Sequence, residues 1–245
     1  MSSEFTKDNI DQYLKEVAKE YRKRIGKNMP AEIILIGGAS VLINYGFRGM
    51  TTDIDAIIQA ASGMKDAISA VGDKYNLTFG WLNTDFEQTD SYTPKLLEFS
   101  DYYRTYSNVL SIRTVRGEYL IAMKLRSGRQ YKNDLSDVVG ILREHKNNGM
   151  PIGMAEIRKA VSDLYGDWEQ LPEISRSFIE NVMQSKDLDA LFAEIVANEK
   201  ETKGLLLDFQ KDYPGVLKGS NAEKIIADLK TRKKESRQKH DDRER

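Results

Sequence analysis

The run Ile33-Ile-Leu-Ile36, closed by Gly37-Gly-Ala-Ser40, constrains this chain more than any other stretch. Four consecutive apolar residues ending on two glycines predict a buried strand that turns sharply into a helix. Asp53-Ile-Asp55 then opens a second apolar strand, expected over Asp53 to Ile58. Side chains alternate along a strand, so Asp53 and Asp55 project from one face, ~7 Å apart. Two like charges at that spacing repel unless a cation lies between them. Oxygen ligands of this kind suit Mg²⁺, or Mn²⁺, which takes one or two carboxylates together with substrate phosphates. The glycine pair lets backbone approach a ligand, and the helix behind it offers unpaired N–H groups to phosphate oxygens. A phosphate cradle followed by metal carboxylates points to nucleotide chemistry.

Composition narrows the classes around that core. At 245 residues the chain has room for one large domain or two small ones. A formal net charge of −1 excludes a wholesale polyanion binder and leaves room for a local basic patch. Cysteine is absent, which removes disulfides and thiolate catalysis, and His145 and His240 are too few for a zinc site of ordinary spacing. The polar start, Met1 to Asn9, and the lack of any apolar run near ~18 residues predict a cytoplasmic protein without a membrane span.

Along the chain, Ile10, Tyr13, Leu14, Val17, Tyr21 and Ile25 form one amphipathic stripe over residues 8–26, with Thr6 or Asp8 as cap and Gly26 as stop. The strand Ala31 to Ile36, a short helix from Ala39 to Tyr45 and the strand from Asp53 follow. Ser62 is placed to cap a helix from Met64 to Tyr75. Residues 77–106 are rich in aromatics without period; a short strand is expected near Lys95 to Phe99, and Trp81 in Trp81-Leu-Asn83 reads as packing. Val109 to Val115 alternates as a strand, and helices are expected from Gly117 to Ser127 and from Asn133 to His145. Lys146-Asn-Asn-Gly-Met-Pro151 is a break, and beyond it every periodic stretch is helical. The predicted fold class is therefore α/β, with a mixed sheet and flanking helices over residues 1–148, followed by a helical bundle over 149–245. The end, Lys230 to Arg245, is strongly basic and is expected to be a helix fraying into a mobile tail.

The dinucleotide fingerprint G-x-G-x-x-G and the phosphate loop G-x-x-x-x-G-K-[ST] are both missing. The order that is present, strand, Gly37-Gly38, helix, Asp53-x-Asp55, resembles the nucleotidyltransferase superfamily of DNA polymerase β-like enzymes. Arg48-Gly-Met-Thr-Thr-Asp-Ile-Asp55, Glu118 to Arg129 and Lys132-Asn-Asp-Leu-Ser-Asp137 look closest to the AbiEii-type toxin nucleotidyltransferases of toxin–antitoxin and phage-defence systems. The likeness covers roughly residues 30–145. It implies that Asp53 and Asp55 hold Mg²⁺ or Mn²⁺, that Gly37, Gly38 and Ser40 hold phosphates of an NTP, and that Lys124 neutralises charge on the triphosphate or the leaving pyrophosphate. It also implies a site aspartate shortly after Lys124, either Asp134 or Asp137, with Arg129 completing the nucleotide-binding set. Partners implied by the resemblance are an RNA acceptor, tRNA in particular, and a cognate antitoxin.

Residue chemistry is compatible with this. Lys124 lies between Met123 and Leu125 in an apolar helix, where an unpartnered cation would be costly, and Asp134 and Asp137 share a helix face. The competing reading makes Lys124, Arg126 and Arg129 ordinary surface partners of those aspartates. In one respect the pattern departs from the superfamily. The strand expected to carry a third metal carboxylate, Val109 to Val115, has no acid, so Glu98 or a late-helix aspartate is the candidate. Two alternatives to an RNA-directed transferase follow: transfer to a small-molecule or protein hydroxyl, and a non-catalytic nucleotide- or partner-binding module.

Overall fold

The computed structural model describes residues 3–129, 132–219 and 221–241. Five strands form one mixed sheet: β1 (Ala31–Leu35), β2 (Ile54–Gln59), β3 (Leu82–Asn83), β4 (Ser100–Tyr106) and β5 (Leu110–Val115), in the order β3-β2-β1-β5-β4. The two strands singled out by sequence are central neighbours, antiparallel, with Leu35 opposite Ala56. β1 also pairs parallel with β5, and β2 parallel with β3.

The apolar run of β1 is explained by burial on both faces. Ile33 and Leu35 point to a core shared with α1 (Lys7–Ile25) and α3 (Gly63–Tyr75). Ile34 and Ile36 point to the opposite core, which they share with α4 (Gly117–Ser127), α5 (Asp134–Asn147), α6 (Met154–Tyr165), α7 (Glu173–Gln184) and Ile195 of α8 (Leu188–Asp212). Period-two alternation thus sorts one strand between two helical layers. α1 carries the expected stripe, with a capping box from Thr6 and Asn9 and Gly26 past its end at φ 86°. After β5 every described element is helical, ending with α9 (Ala222–Asp241). Residues 242–245, and so the end of the expected tail, lie outside the described residues, as do Gln130 and Tyr131 of the α4–α5 connection. Among the described residues no helix is long and apolar enough to cross a membrane.

Two local expectations are corrected. Pro94 to Leu97 forms a 3₁₀ turn rather than a strand, since Pro94 lacks the N–H a ladder needs and the Thr93 hydroxyl accepts from Lys95 N–H at 3.4 Å. The strand begins at Ser100 instead. It is an edge strand with most side chains solvated, which hides it from hydrophobic periodicity. Ser62 makes no capping hydrogen bond to α3.

Candidate functional site

The register of β1 against β2 builds the site. Ile36 N–H donates to Asp55 C=O at 2.9 Å, which sets the turn into α2 (Gly37–Asn44) directly beside Asp55. Gly37 adopts φ 53°, a left-handed conformation that favours glycine. At Gly38 the constraint is space: a Cβ would stand 2.7 Å from Thr51 Oγ1 and 2.9 Å from Arg48 Nη2. Helix α2 has no side-chain cap, because Ile36 occupies that position. Its first N–H groups therefore open onto a cleft of about 290 Å³ lined by Gly37, Gly38, Asp53, Asp55, Asn83, Lys124, Arg129, Lys132 and Asp134, among others.

Asp53 is exposed and accepts from Thr51 Oγ1 at 3.5 Å. Burial raises the Asp55 carboxyl above its usual range and the Asp53 charge adds to the rise, while Lys132, a hydrogen bond with Asn83 and Lys124 oppose it. Among the described residues neither aspartate has an ion-pair partner. A destabilised carboxylate pair of this kind fits a divalent cation that arrives with phosphate oxygens. No group of three or more acidic, histidine or cysteine side chains suited to a metal occurs among the described residues.

The opposite wall is a closed ion network. Lys124 Nζ stands 2.8 Å from Asp134 Oδ1 and 2.8 Å from Asp137 Oδ2. Arg48 Nη1 reaches both oxygens of Asp137, at 2.9 and 2.6 Å, and Arg129 Nε reaches Asp134 Oδ2 at 2.9 Å. Asp134, Asp137 and Lys124 are all buried. Burial alone would lower the Lys124 ammonium, but the two carboxylates overcome it and hold it above its usual value. Burial would likewise raise Asp134, yet the Lys124 and Arg129 charges keep it well below the ordinary carboxylate range. These are not surface pairs, so the surface-pair reading of Lys124 and Arg129 with the aspartates is corrected. The choice between Asp134 and Asp137 dissolves as well, since Lys124 binds both; Asp134 lines the cleft, while Asp137 reaches it through Arg48.

Ser40 is placed elsewhere. It is fully buried, and its hydroxyl accepts from Val115 N–H at 3.1 Å, so it ties α2 to the end of β5 rather than facing the cleft. Glu98 is exposed beside the outer strand β4, three strands from β2. The position in register with Asp55 on β3 is Asn83, an amide, whose Oδ1 accepts from Asp85 N–H at 2.8 Å. Trp81 packs as expected, stacked on Phe5 at 6.0 Å with its ring N–H on Ile68 C=O. Sequence reasoning left Asn83 and Lys132 without roles; the alternation of Leu82 and Asn83 was too short to show a strand.

A family model described as "Nucleotidyltransferase of unknown function (DUF6036)" matches residues 12–142, more than half of the chain. The match spans most of α1, the whole sheet, Lys124 and the first turns of α5. No curated protein and no solved structure matches significantly.

Proposed function

Since the chain belongs to the DUF6036 family of nucleotidyltransferases, we propose that it moves a nucleoside monophosphate from an NTP to an acceptor hydroxyl, with Mg²⁺ or Mn²⁺. The observation that carries this reading is the pair Asp53 and Asp55, without an ion-pair partner among the described residues and set beside the open start of α2. N–H groups of Gly37 and Gly38 bind phosphate oxygens, and Arg48, whose guanidinium lies over Gly38, supplies positive charge there. Asp53 and Asp55 would hold the cation, which when bound neutralises the triphosphate and favours attack at the α-phosphorus. The acceptor hydroxyl gives up its proton to solvent and its oxygen bonds to that phosphorus as the α–β bridging oxygen departs with pyrophosphate. Lys132, Lys124 and Arg129 line the same cleft, and their fixed charges favour the negative charge that develops on the leaving group.

The finer reading places the chain near AbiEii-type toxins, with an RNA end as acceptor and a cognate antitoxin as partner; the motifs from Arg48 to Asp55 and from Lys124 to Asp137 support it. A second reading, nucleotide binding without transfer, is favoured by Asn83: the side chain in register with Asp55 is an amide, and no third acid joins the pair among the described residues. One experiment separates these. Calorimetry with each NTP, with and without Mg²⁺, is followed by transfer of α-³²P label to total tRNA, small hydroxyl compounds and protein. We expect Mg²⁺-dependent binding that Asp53→Ala with Asp55→Ala abolishes, together with label on RNA. Equal affinity in the presence of chelator would remove the metal role; tight binding without label on any acceptor would leave the binding module.

A further inference from the structure

Helix α5 carries Asp134 and Asp137 in its first turn, yet it starts without a cap of its own. Its N-cap residue, Asn133, makes no capping hydrogen bond, because the Asn133 side-chain oxygen is taken by the ammonium of Lys203 on α8. The missing acceptor comes from the same distant helix. Glu199 Oε1 accepts from Ser136 N–H at 3.1 Å and Oε2 accepts from the Ser136 hydroxyl at 2.6 Å. Ser136 is the third residue of α5, the position whose N–H an N-cap side chain normally satisfies. Glu199 is 4% exposed and has no ion-pair contact among the described residues, so a carboxylate has been buried chiefly to serve this turn. Two turns earlier on α8, Phe192 packs edge-on against Phe47 at 5.6 Å, and Phe47 is the chain neighbour of Arg48. Phe47 in turn lies against α5 at Gly140, where a Cβ would stand 2.5 Å from its ring. Helix α8 therefore fastens both partners of the Arg48–Asp137 pair through the residues beside them.

We propose that α8 is a positioning element of the nucleotide cleft: Glu199, assisted by Lys203, supplies the N-terminal cap of α5 and so fixes the turn that holds Lys124 and Arg48 in place for the triphosphate. The inference rests on the nucleotide reading above and adds to it a determinant outside the family-matched segment. Neither residue touches the substrate; both act through Ser136 and Asn133.

The test uses the full-length chain as wild type, Glu199→Ala, Glu199→Gln and Leu206→Ala, the last removing a buried α8 side chain two turns beyond Glu199. Two quantities are read: hydrogen exchange of the amides from Ser136 to Val138, and affinity for each of the four NTPs with Mg²⁺. Glu199→Ala is expected to speed exchange in that turn about tenfold and to weaken NTP binding about tenfold, the scale of a lost cap. Glu199→Gln keeps an acceptor for Ser136 N–H and a polar partner for its hydroxyl, and should restore both quantities to within about threefold. Leu206→Ala should lower thermal stability while leaving both local exchange and affinity near wild type. Unchanged exchange in Glu199→Ala, faster exchange with unchanged affinity, or equal weakening by Leu206→Ala would each overturn the proposal. Wild type that binds none of the four NTPs would overturn the functional reading and the positioning role with it. The exchange result, read without ligand, would then still show whether Glu199 caps α5.

Discussion

Asp53 and Asp55 stand at the mouth of β2 with no cation paired to them among the described residues, whereas Asp134 and Asp137, across the same cleft, are bound by Lys124, Arg48 and Arg129. The residue types are identical and the electrostatics are opposite. In the first cluster the folded state raises the Asp55 carboxyl; in the second it depresses that of Asp134. Burial acts in the same direction on both, so the difference is entirely one of partners. A cleft built this way has one wall whose carboxylates are all paired internally and one whose carboxylates are left for something brought in from outside. Preorganised cations on the paired wall need no rearrangement when the triphosphate enters.

Breaking the paired wall should have the largest effect. Lys124→Met removes the group that bridges both aspartates and leaves two buried carboxylates with one arginine partner each among the described residues. Loss of one partner of a buried ion network costs about 3–5 kcal/mol, read as a fall in the denaturant midpoint. Nucleotide transfer by this variant must therefore be assayed well below its melting temperature. A stability loss under about 1 kcal/mol, the range of surface pairs, would contradict the burial on which the comparison stands.

Gly38→Ala should act on both walls at once. Its Cβ would meet Thr51 Oγ1 at 2.7 Å and the Arg48 guanidinium at 2.9 Å. Arg48 cannot simply swing aside, because Asp137 holds it through two hydrogen bonds. We expect about 1–3 kcal/mol of destabilisation and loss of Mg²⁺-dependent NTP binding, measured by melting and calorimetry. Unaltered binding would take Gly38 out of the phosphate cradle.

The smallest effect, that of replacing Asp55, sharpens the contrast most directly, because the two clusters have opposite linkage to pH. Asp55 has a raised folded pKa, so its ionisation penalises the fold above that pKa and the penalty vanishes as pH falls below the unfolded value near 4. Asp55→Asn should therefore stabilise the metal-free protein at pH 7, by about 1 kcal/mol, because burial and the Asp53 charge oppose ionisation while Lys132, Asn83 and Lys124 offset part of that cost, and lose this advantage in acid. Asp134 has a depressed pKa, so its contribution is present above about pH 4 and is lost as pH falls toward its folded value. Asp134→Asn should accordingly destabilise at pH 7, with the loss shrinking in acid. Unfolding free energies of both variants across pH 3–8 check this; curves with the same sign would refute the comparison.

Much of this molecule is legible along the chain. The apolar stripe of α1, the double-sided burial of β1 and the glycine turn into α2 each express a local rule within a few residues, and all appear in the fold. Edge strand β4 was hidden because its solvated side chains carry no hydrophobic period. Ser40 was misassigned for a different reason: a hydroxyl after a glycine pair can serve a ligand or a backbone N–H equally well, and only the approach of β5 gives it Val115.

The sequence by itself determined the α/β class and the β1–α2–β2 unit, since strand alternation and glycine conformation are properties of contiguous residues, while β2 begins at Ile54 and it is the cleft that brings Asp53 beside Asp55. Tertiary structure alone decided who pairs with whom. Arg48 meets Asp137 from 89 residues away, Glu199 reaches Ser136 from 63, and Asn83 comes into register with Asp55 through a two-residue strand. A charged or polar side chain states in sequence only what it can donate or accept. Its partner is chosen by the packing of two helical layers on the sheet, which brings distant groups within hydrogen-bond reach and excludes the water that would otherwise satisfy them.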